Sequence, residues 1–495
     1  MFALARTFAL VGVEAEPVYV EVDIGGGLPS FTIVGLPDAA VRESRERVRS
    51  ALRNSGFKYP EHRITVNLAP ADVRKAGPGF DLAIAAAILA ATGQLPQAVV
   101  DNYAMAGELA LDGAIRPAPG ALAMAEGARG WGLRGVAVAP PDATQAALVA
   151  GLEVVPVEHV TRLRELGEGS LEPVARVEPP APDDDLPDLA DLRGHPVLRS
   201  CLEIAAAGAH SLLLIGPPGG GKTLALQRLP SLLPPLSPQE LIEVTRIAGV
   251  CGENGGPRLR RPFRAPHHTI SGRALVGGGS PPRPGEVTRA HRGVLFLDEL
   301  GEFRRDALEA LRVPLEQGSV TISRTSGTVS LPSRFMLVAA SNPCPCGHGE
   351  DSGECDCHPG AVTRYRAKLS GALADRIDIS LSVEPPPAEE LLEDGVEDSA
   401  GVRERVLAAR RRQEERLGPG RTNAEMTPGE VRRHCELDPQ ARQVLERGHR
   451  QLRLSARGWD RCLRLARTIA DLAGAERITP DHVRRALSAR RPVDP

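Results

Sequence analysis

A chain of 495 residues is too long for one ordinary core and sets an expectation of roughly three domains. Its 42% apolar and 25% charged content excludes a disordered class, and no apolar run approaches the roughly 20 residues needed to cross a bilayer. A formal charge of −3 excludes a basic coat, so any nucleic-acid contact must come from a local cluster of cations.

The apolar stretch Phe8 to Val13 is followed by acidic residues and by no small-residue cleavage pattern, which predicts a mature cytoplasmic start. Val18, Val20, Val22 and Ile24 alternate with Tyr19, Glu21 and Asp23, the period of a half-buried strand. Asp38 opens a helix whose Val41, Val48 and Leu52 share a face, and Gly56 ends it. Ile64 to Leu68 predicts a second strand, Leu82 to Leu89 a buried helix, and Leu109 to Ile115 a hairpin turning at Asp112-Gly113. Residues 1–170 therefore form one mixed α/β module. The run Glu178-Pro-Pro-Ala-Pro-Asp-Asp-Asp is proline-rich and acidic and marks a linker over 171–189.

From 190 to 383, strands and helices alternate with glycine-rich turns, the pattern of an α/β parallel sheet covered on both faces. From 384 to 495 only helical signals remain. Ser455 caps a helix expected to turn Leu463, Ala466, Ala470 and Ala473 inward, and Thr479-Pro480 opens another. No internal repeat occurs at a fixed period.

The segment His210-Ser-Leu-Leu-Leu-Ile-Gly216-Pro217-Pro218-Gly219-Gly220-Gly221-Lys222-Thr223 is an apolar strand, a glycine loop and a helix start. Glycines let backbone N–H groups wrap phosphates, Lys222 is placed to reach the β- and γ-phosphates, and Thr223 to hold Mg²⁺. Gly293-Val-Leu-Phe-Leu-Asp298-Glu299 is a second buried strand ending in two carboxylates. Asp298 suits Mg²⁺, and Glu299 suits the attacking water. A third strand ends in Asn342, either a turn residue or a γ-phosphate sensor, and the order of the three motifs favours the sensor.

Four of the eight cysteines fall within fourteen residues. Cys344-Pro-Cys346 and Cys355-Asp-Cys357 offer two thiolate pairs for a tetrahedral Zn²⁺ in the loop 344–357, with His348 or His358 able to replace one ligand and a reduced, metal-free loop as the alternative.

These motifs resemble those of the AAA+ ATPases and, within them, the magnesium-chelatase-like branch that includes the ComM (YifB) family of bacterial DNA uptake. The resemblance spans nearly the whole chain and rests on long strings: Arg264-Ala-Pro-His267-His268-Thr-Ile-Ser, Gly293 to Phe303, and Ser341-Asn-Pro-Cys-Pro-Cys-Gly. It implies a P-loop AAA+ core over 190–383, a helical lid over 384–495, and a cytoplasmic homo-hexamer with ATP and Mg²⁺ between subunits. It assigns the neighbour's arginine to Arg376 in Ser370-Gly-Ala-Leu-Ala-Asp375-Arg376-Ile-Asp378, and the second sensor to Arg457. The segments Arg258 to Gly279 and Val320 to Leu331, a hairpin turning near Ser326-Gly327, correspond to pore-facing insertions, with Arg273 and Arg324 as candidate phosphate contacts.

Residues 1–170 resemble the ChlI-like module related to Lon protease, an α+β fold like the second domain of ribosomal protein S5. The matching strings are Leu36-Pro-Asp-Ala-Ala-Val41, Leu68-Ala-Pro-Ala-Asp72, Lys75-Ala-Gly-Pro-Gly79-Phe-Asp-Leu82 and Gly107-Glu-Leu-Ala-Leu-Asp-Gly113. Gly79 stands where Lon carries its nucleophilic serine, so Lys75 has no hydroxyl to activate and no protease activity is expected. The resemblance as a whole implies an ATP-driven translocase or helicase acting on single-stranded and branched DNA, promoting branch migration during recombination in natural transformation, alongside recombination proteins. A chelatase-type motor that remodels a protein partner for metal insertion and a nucleotide-gated DNA scaffold are the alternatives; Glu299 weighs against the scaffold, which needs no residue to position water.

Overall fold

The computed structural model describes residues 1–175, 186–253, 256–279, 282–324, 327–349, 353–369, 373–392 and 396–490. The acidic run Glu178 to Asp185 and Ser326 at the expected hairpin turn lie outside these residues.

The first 175 residues are built on a mixed sheet. Its strands are β1 (Phe2–Val11), β2 (Glu14–Gly25), β3 (Ser30–Val34), β4 (Arg63–Ala69), β5 (Tyr103–Met105), β6 (Gly135–Val138) and β7 (Glu153–Pro156), in the order β3-β4-β2-β1-β5-β6-β7. The apolar stretch at Phe8 is the C-terminal half of β1, which pairs antiparallel with β2 along its whole length. The alternation in β2 is realised: Val18, Val20, Val22 and Ile24 are buried, and Val20 and Val22 lie opposite Leu68 and Val66 of β4. Helix α1 (Ala39–Asn54) begins where Asp38 accepts from the Val41 N–H at 2.8 Å, a cap of the kind that contributes about 1 kcal/mol. Beyond its end Gly56 takes φ +76°, the left-handed turn that glycine adopts without a Cβ clash. Helix α2 (Asp81–Ala91) has Leu82 to Leu89 buried without a break, as an element apolar on all sides must be.

The second body carries five parallel strands: β8 (Leu212–Ile215), β9 (Phe263–Arg264), β10 (Val294–Leu297), β13 (Met336–Ser341) and β14 (Ile379–Ser382), with β11 (Ser319–Arg324) and β12 (Gly327–Pro332) forming a separate hairpin. Their order is β9-β10-β13-β8-β14. Val294 to Leu297 and Met336 to Ser341 are buried throughout, because helices cover both faces of a parallel sheet.

Five helices form most of the C-terminal body: α3 (Ser399–Leu417), α4 (Pro428–His434), α5 (Pro439–Leu452), α6 (Ala456–Leu472) and α7 (Pro480–Ser488). Ser455 caps α6 by accepting from the Gly458 N–H at 3.1 Å, and Leu463, Ala466 and Ala470 are buried. Ala473 is exposed, contrary to the periodic expectation, because α6 ends at Leu472 and Ala473 is its C-terminal cap. Among the described residues no helix is long and apolar enough to cross a membrane.

The first and second bodies share core. Val13, at the β1–β2 turn, is buried with Val320, Ile322, Val329 and Leu331 of the β11–β12 hairpin. A Cβ on Gly12 would sit 2.4 Å from Val329, so that turn needs glycine for close approach as well as for its φ of +67°. Arg246 also reaches back to Glu14 and Glu126, each at 3.3 Å.

Candidate nucleotide site

The glycine loop leaves β8 and turns into the helix Lys222–Leu232, whose first residue is the loop lysine. Two glycines are sterically required. A Cβ on Gly216 would lie 1.8 Å from the Val383 carbonyl oxygen, and Gly221 caps the helix at φ +75°. Lys222 folds back over the loop, its Nζ donating to Gly216 O and Pro217 O at 2.7 Å each and standing 3.4 Å from Asn342 Oδ1. Burial lowers its pKa, and Asp298 opposes that shift. Backbone donors, a glycine cradle too tight for side chains and one ammonium make a donor set suited to a polyphosphate.

Across this loop Thr223 Oγ1 donates to Asp298 Oδ2 at 3.0 Å, joining residues 75 apart in sequence. A hydroxyl and a carboxylate side by side are hard oxygen donors of the kind Mg²⁺ takes. Glu299 lies beside them at φ +52°, in the left-handed region that costs a non-glycine residue roughly 1–2 kcal/mol. Its N–H donates to Asp298 Oδ1 at 2.9 Å, and its Oε2 lies 3.2 Å from His268 Nδ1. The structure thus brings Gly216 to Thr223, Asp298, Glu299 and Asn342 to the carboxyl ends of three neighbouring parallel strands.

It does not bring Arg376 and Arg457 there. Both sit against Glu316, on the helix Arg312–Gln317: Arg376 Nη2 donates to its carboxylate and Arg457 Nη1 stands 3.7 Å away. They line a cleft of about 680 Å³ together with Asp378, Arg461 and Arg464, and neither Lys222 nor Glu299 lines it. Asp378 fixes this cleft to the lid. It contacts His210 at 3.3 Å and Arg461 at 3.5 Å, while His210 Nε2 lies 2.7 Å from Thr468 Oγ1 on α6. Burial pushes the Asp378 carboxyl up, but His210, Arg461 and Arg490 outweigh it and hold the pKa at about 2. Sequence reasoning missed Glu316 and the His268–Glu299 contact, since neither pairing leaves a local spacing to read.

The four loop cysteines converge. Cys344 Sγ lies 3.3 Å from Cys346 Sγ and 3.7 Å from Cys355 Sγ, Cys346 and Cys355 are 3.6 Å apart, and all four sulfurs fall within 4.8 Å of one another. Four thiolates at about 2.3 Å from a tetrahedral ion stand about 3.8 Å apart, so the donor set fits such a metal. The His348 N–H, with the Cys344 thiol, pulls the Cys346 thiol down to about 6. Neither expected substitute ligand joins the group: His348 faces Glu354 at 3.3 Å, and His358 accepts from the Gly360 N–H at 3.1 Å. The loop also touches the phosphate loop, since a Cβ on Gly347 would lie 3.2 Å from Pro218.

Of the arginines in the 258–279 segment, Arg261 is paired with Glu240 and Arg264 with Glu286, at 2.9 and 2.8 Å, whereas Arg273 is exposed on the short helix Gly272–Val276. The Arg324 side chain lies outside the described residues. In the first body Lys75 is buried, its Nζ donating to Pro70 O, and burial lowers its pKa against the opposing charge of Asp72.

A five-stranded parallel sheet in this order, with a lysine-bearing glycine loop and a paired Asp298-Glu299 at its strand ends, defines a P-loop protein of the AAA+ class. The chain matches the families described as "Magnesium chelatase, subunit ChlI" over residues 188–391, "Subunit ChlI of Mg-chelatase" over 20–142 and "Magnesium chelatase, subunit ChlI C-terminal" over 396–490. It is 44% identical to YifB of Escherichia coli over 497 residues, covering 99% of this chain and 97% of that protein. It is 41% identical to the competence protein ComM of Haemophilus influenzae over 498 residues, with coverage of 99% and 97%. The 38 kDa magnesium-chelatase subunit of Cereibacter sphaeroides is 26% identical over 153 residues, 28% of this chain and 46% of that protein. The chain belongs to the ComM (YifB) family of magnesium-chelatase-like AAA+ proteins.

Proposed function

We propose that this protein is an ATP-hydrolysing DNA translocase that assembles as a homo-hexamer and migrates branches during recombination of incoming single-stranded DNA. The observation that carries the hydrolytic part is the 3.0 Å contact between Thr223 and Asp298 beside the Lys222 ammonium. Lys222 moves from the loop carbonyls to the β- and γ-phosphate oxygens, and Asn342 follows it on the γ side. Thr223 and Asp298 hold Mg²⁺, which when bound neutralises triphosphate charge. Glu299 orients and deprotonates the attacking water.

The placement of Arg376 away from Lys222 supports a role on a neighbouring subunit's triphosphate, which makes turnover depend on assembly, with Arg457 in the same cleft as the second sensor. The thiolate separations support Zn²⁺ in the cysteine loop, where it would stiffen the segment beside Pro218. Exposed Arg273, repeated around a ring, supplies local cation density despite the acidic total. The DNA part rests on this chain's likeness to a competence protein. Purified protein with ATP and Mg²⁺ is expected to migrate a synthetic three- or four-way junction, and Lys222→Ala is expected not to. ATP turnover indifferent to every DNA form but stimulated by a protein partner would replace the DNA reading with a chelatase-type motor.

A further inference from the structure

The consecutive residues Gly12, Val13 and Glu14 at the β1–β2 turn reach two separate elements of the second body. A Cβ on Gly12 would stand 2.4 Å from Val329 Cγ1 and 3.1 Å from Leu331 Cδ2, so the turn lies directly on β12, and Val13 is enclosed in the same core. Glu14 instead pairs with Arg246, on the helix Pro238–Val250. The helix Ala121–Gly130 reinforces this second attachment: Glu126 also pairs with Arg246, and the Gly120 N–H ahead of the helix donates to Gly249 O at 3.2 Å. Leu236 and Leu241 share one core with Phe8, Leu122 and Ala146 of the first body.

The β11–β12 hairpin has two unlike faces. Val320 lies opposite Leu331 and Ile322 opposite Val329, all buried, while the pairs Thr321–Ser330 and Ser323–Thr328 are exposed. A two-stranded ribbon is marginally stable by itself, so its place is set by whatever covers the apolar face, and the first body supplies part of that cover through Val13. The hairpin also meets the 258–279 segment, where a Cβ on Gly277 would stand 3.4 Å from Ile322 Cδ1. The helix held by Glu14 and Glu126 is the one that leads into that segment.

We propose that the first body is a fixed base for both insertions: Val13 is a positioning residue for the β11–β12 hairpin and Arg246 one for the helix before the 258–279 segment, so that the two elements meet a DNA strand at one set spacing. The inference rests on DNA as the ligand of these elements and gives residues 1–170 a mechanical task in its capture. Gly12 to Glu14 take no part in the contacts of Lys222, Thr223, Asp298 and Glu299, so loosening the turn acts on the response to DNA and leaves hydrolysis in place.

The experiment takes full-length wild type, Val13→Ala, Val13→Ile and Arg246→Ala, and reads amide hydrogen exchange by segment, binding of a fluorescent ATP analogue, and ATP turnover without DNA and with saturating forked DNA. Val13→Ala is expected to exchange about fivefold or more faster across 319–332, and Arg246→Ala across 238–250, with the helix Lys222–Leu232 unchanged in both. In each, DNA-free turnover and nucleotide affinity are expected within about twofold of wild type, while stimulation by DNA falls about threefold or more. Val13→Ile, which keeps a branched apolar side chain in the core, is expected to retain both the slow exchange and the stimulation. Wild-type exchange at the element each alanine variant loosens overturns the fixed base, and so does faster exchange with full stimulation. Equal loss of turnover with and without DNA overturns it as well, since Val13 and Arg246 would then serve the fold alone. A wild-type rate indifferent to DNA overturns the parent DNA reading instead, and the exchange comparison still decides whether the first body holds the two elements.

Discussion

Lys222 and Lys75 are both buried, both donate to backbone carbonyls of proline-containing loops, and both have a pKa lowered by desolvation. Their surroundings separate them. Lys222 shares its pocket with Asn342 and lies beside the Thr223–Asp298 pair, so its ammonium can leave the carbonyls for an arriving anion. Lys75 is followed by Gly79 at the position where a related fold carries a hydroxyl, and a Cβ there would already meet Ala118 at 3.1 Å. A buried lysine is therefore not chemistry in itself; the groups placed within its reach decide what it does.

The largest test of that contrast removes the Glu299 carboxylate, proposed above to direct water, while leaving the lysine. Glu299→Gln is expected to lower ATP turnover by about 100-fold or more while keeping nucleotide affinity near wild type, measured by phosphate release and equilibrium binding. Loss of affinity in equal measure would instead make Glu299 part of the binding set.

An intermediate effect is expected at the cysteine loop. Wild type is expected to carry about one zinc per chain by elemental analysis. Cys344→Ser, or extraction with a strong chelator, removes it and lowers turnover several-fold through the contact of Gly347 with Pro218. Full turnover in metal-free protein would separate the loop from the site.

The smallest expected effect lies in the first body. Burial pushes the Asp142 carboxyl up to about 6, although the Ala118 N–H donates to it at 2.8 Å. With an unfolded value near 3.9, the folded state binds more protons through this interval, so the contribution is full below about pH 4 and is lost as pH rises through 6. Asp142→Asn keeps an acceptor for Ala118 and is expected to melt a few degrees above wild type at pH 7, with the gap closing toward pH 4. Parallel melting curves across that range would contradict the assignment.

The contrast also explains what could be read from the chain alone. The glycine loop, Asp298-Glu299 and the cysteine quartet are contiguous strings, and their spacing carries their geometry. The β2 alternation and the Asp38 and Ser455 caps were legible for the same reason, being set within a few residues. Arg376 could be located but not its partner Glu316, because that pairing is made by the fold across 60 positions. Arg261 and Arg264, grouped by sequence with exposed Arg273, turn out to be paired with acids of neighbouring helices. Ala473 fell on the right period but beyond the last turn of α6, where periodicity no longer predicts burial.

The most direct test compares the two lysines side by side. In full-length protein with ATP, Mg²⁺ and forked DNA, Lys222→Ala is expected to lose hydrolysis while Lys75→Met keeps it within about twofold of wild type. Turnover that survives in Lys222→Ala would contradict the account at its centre.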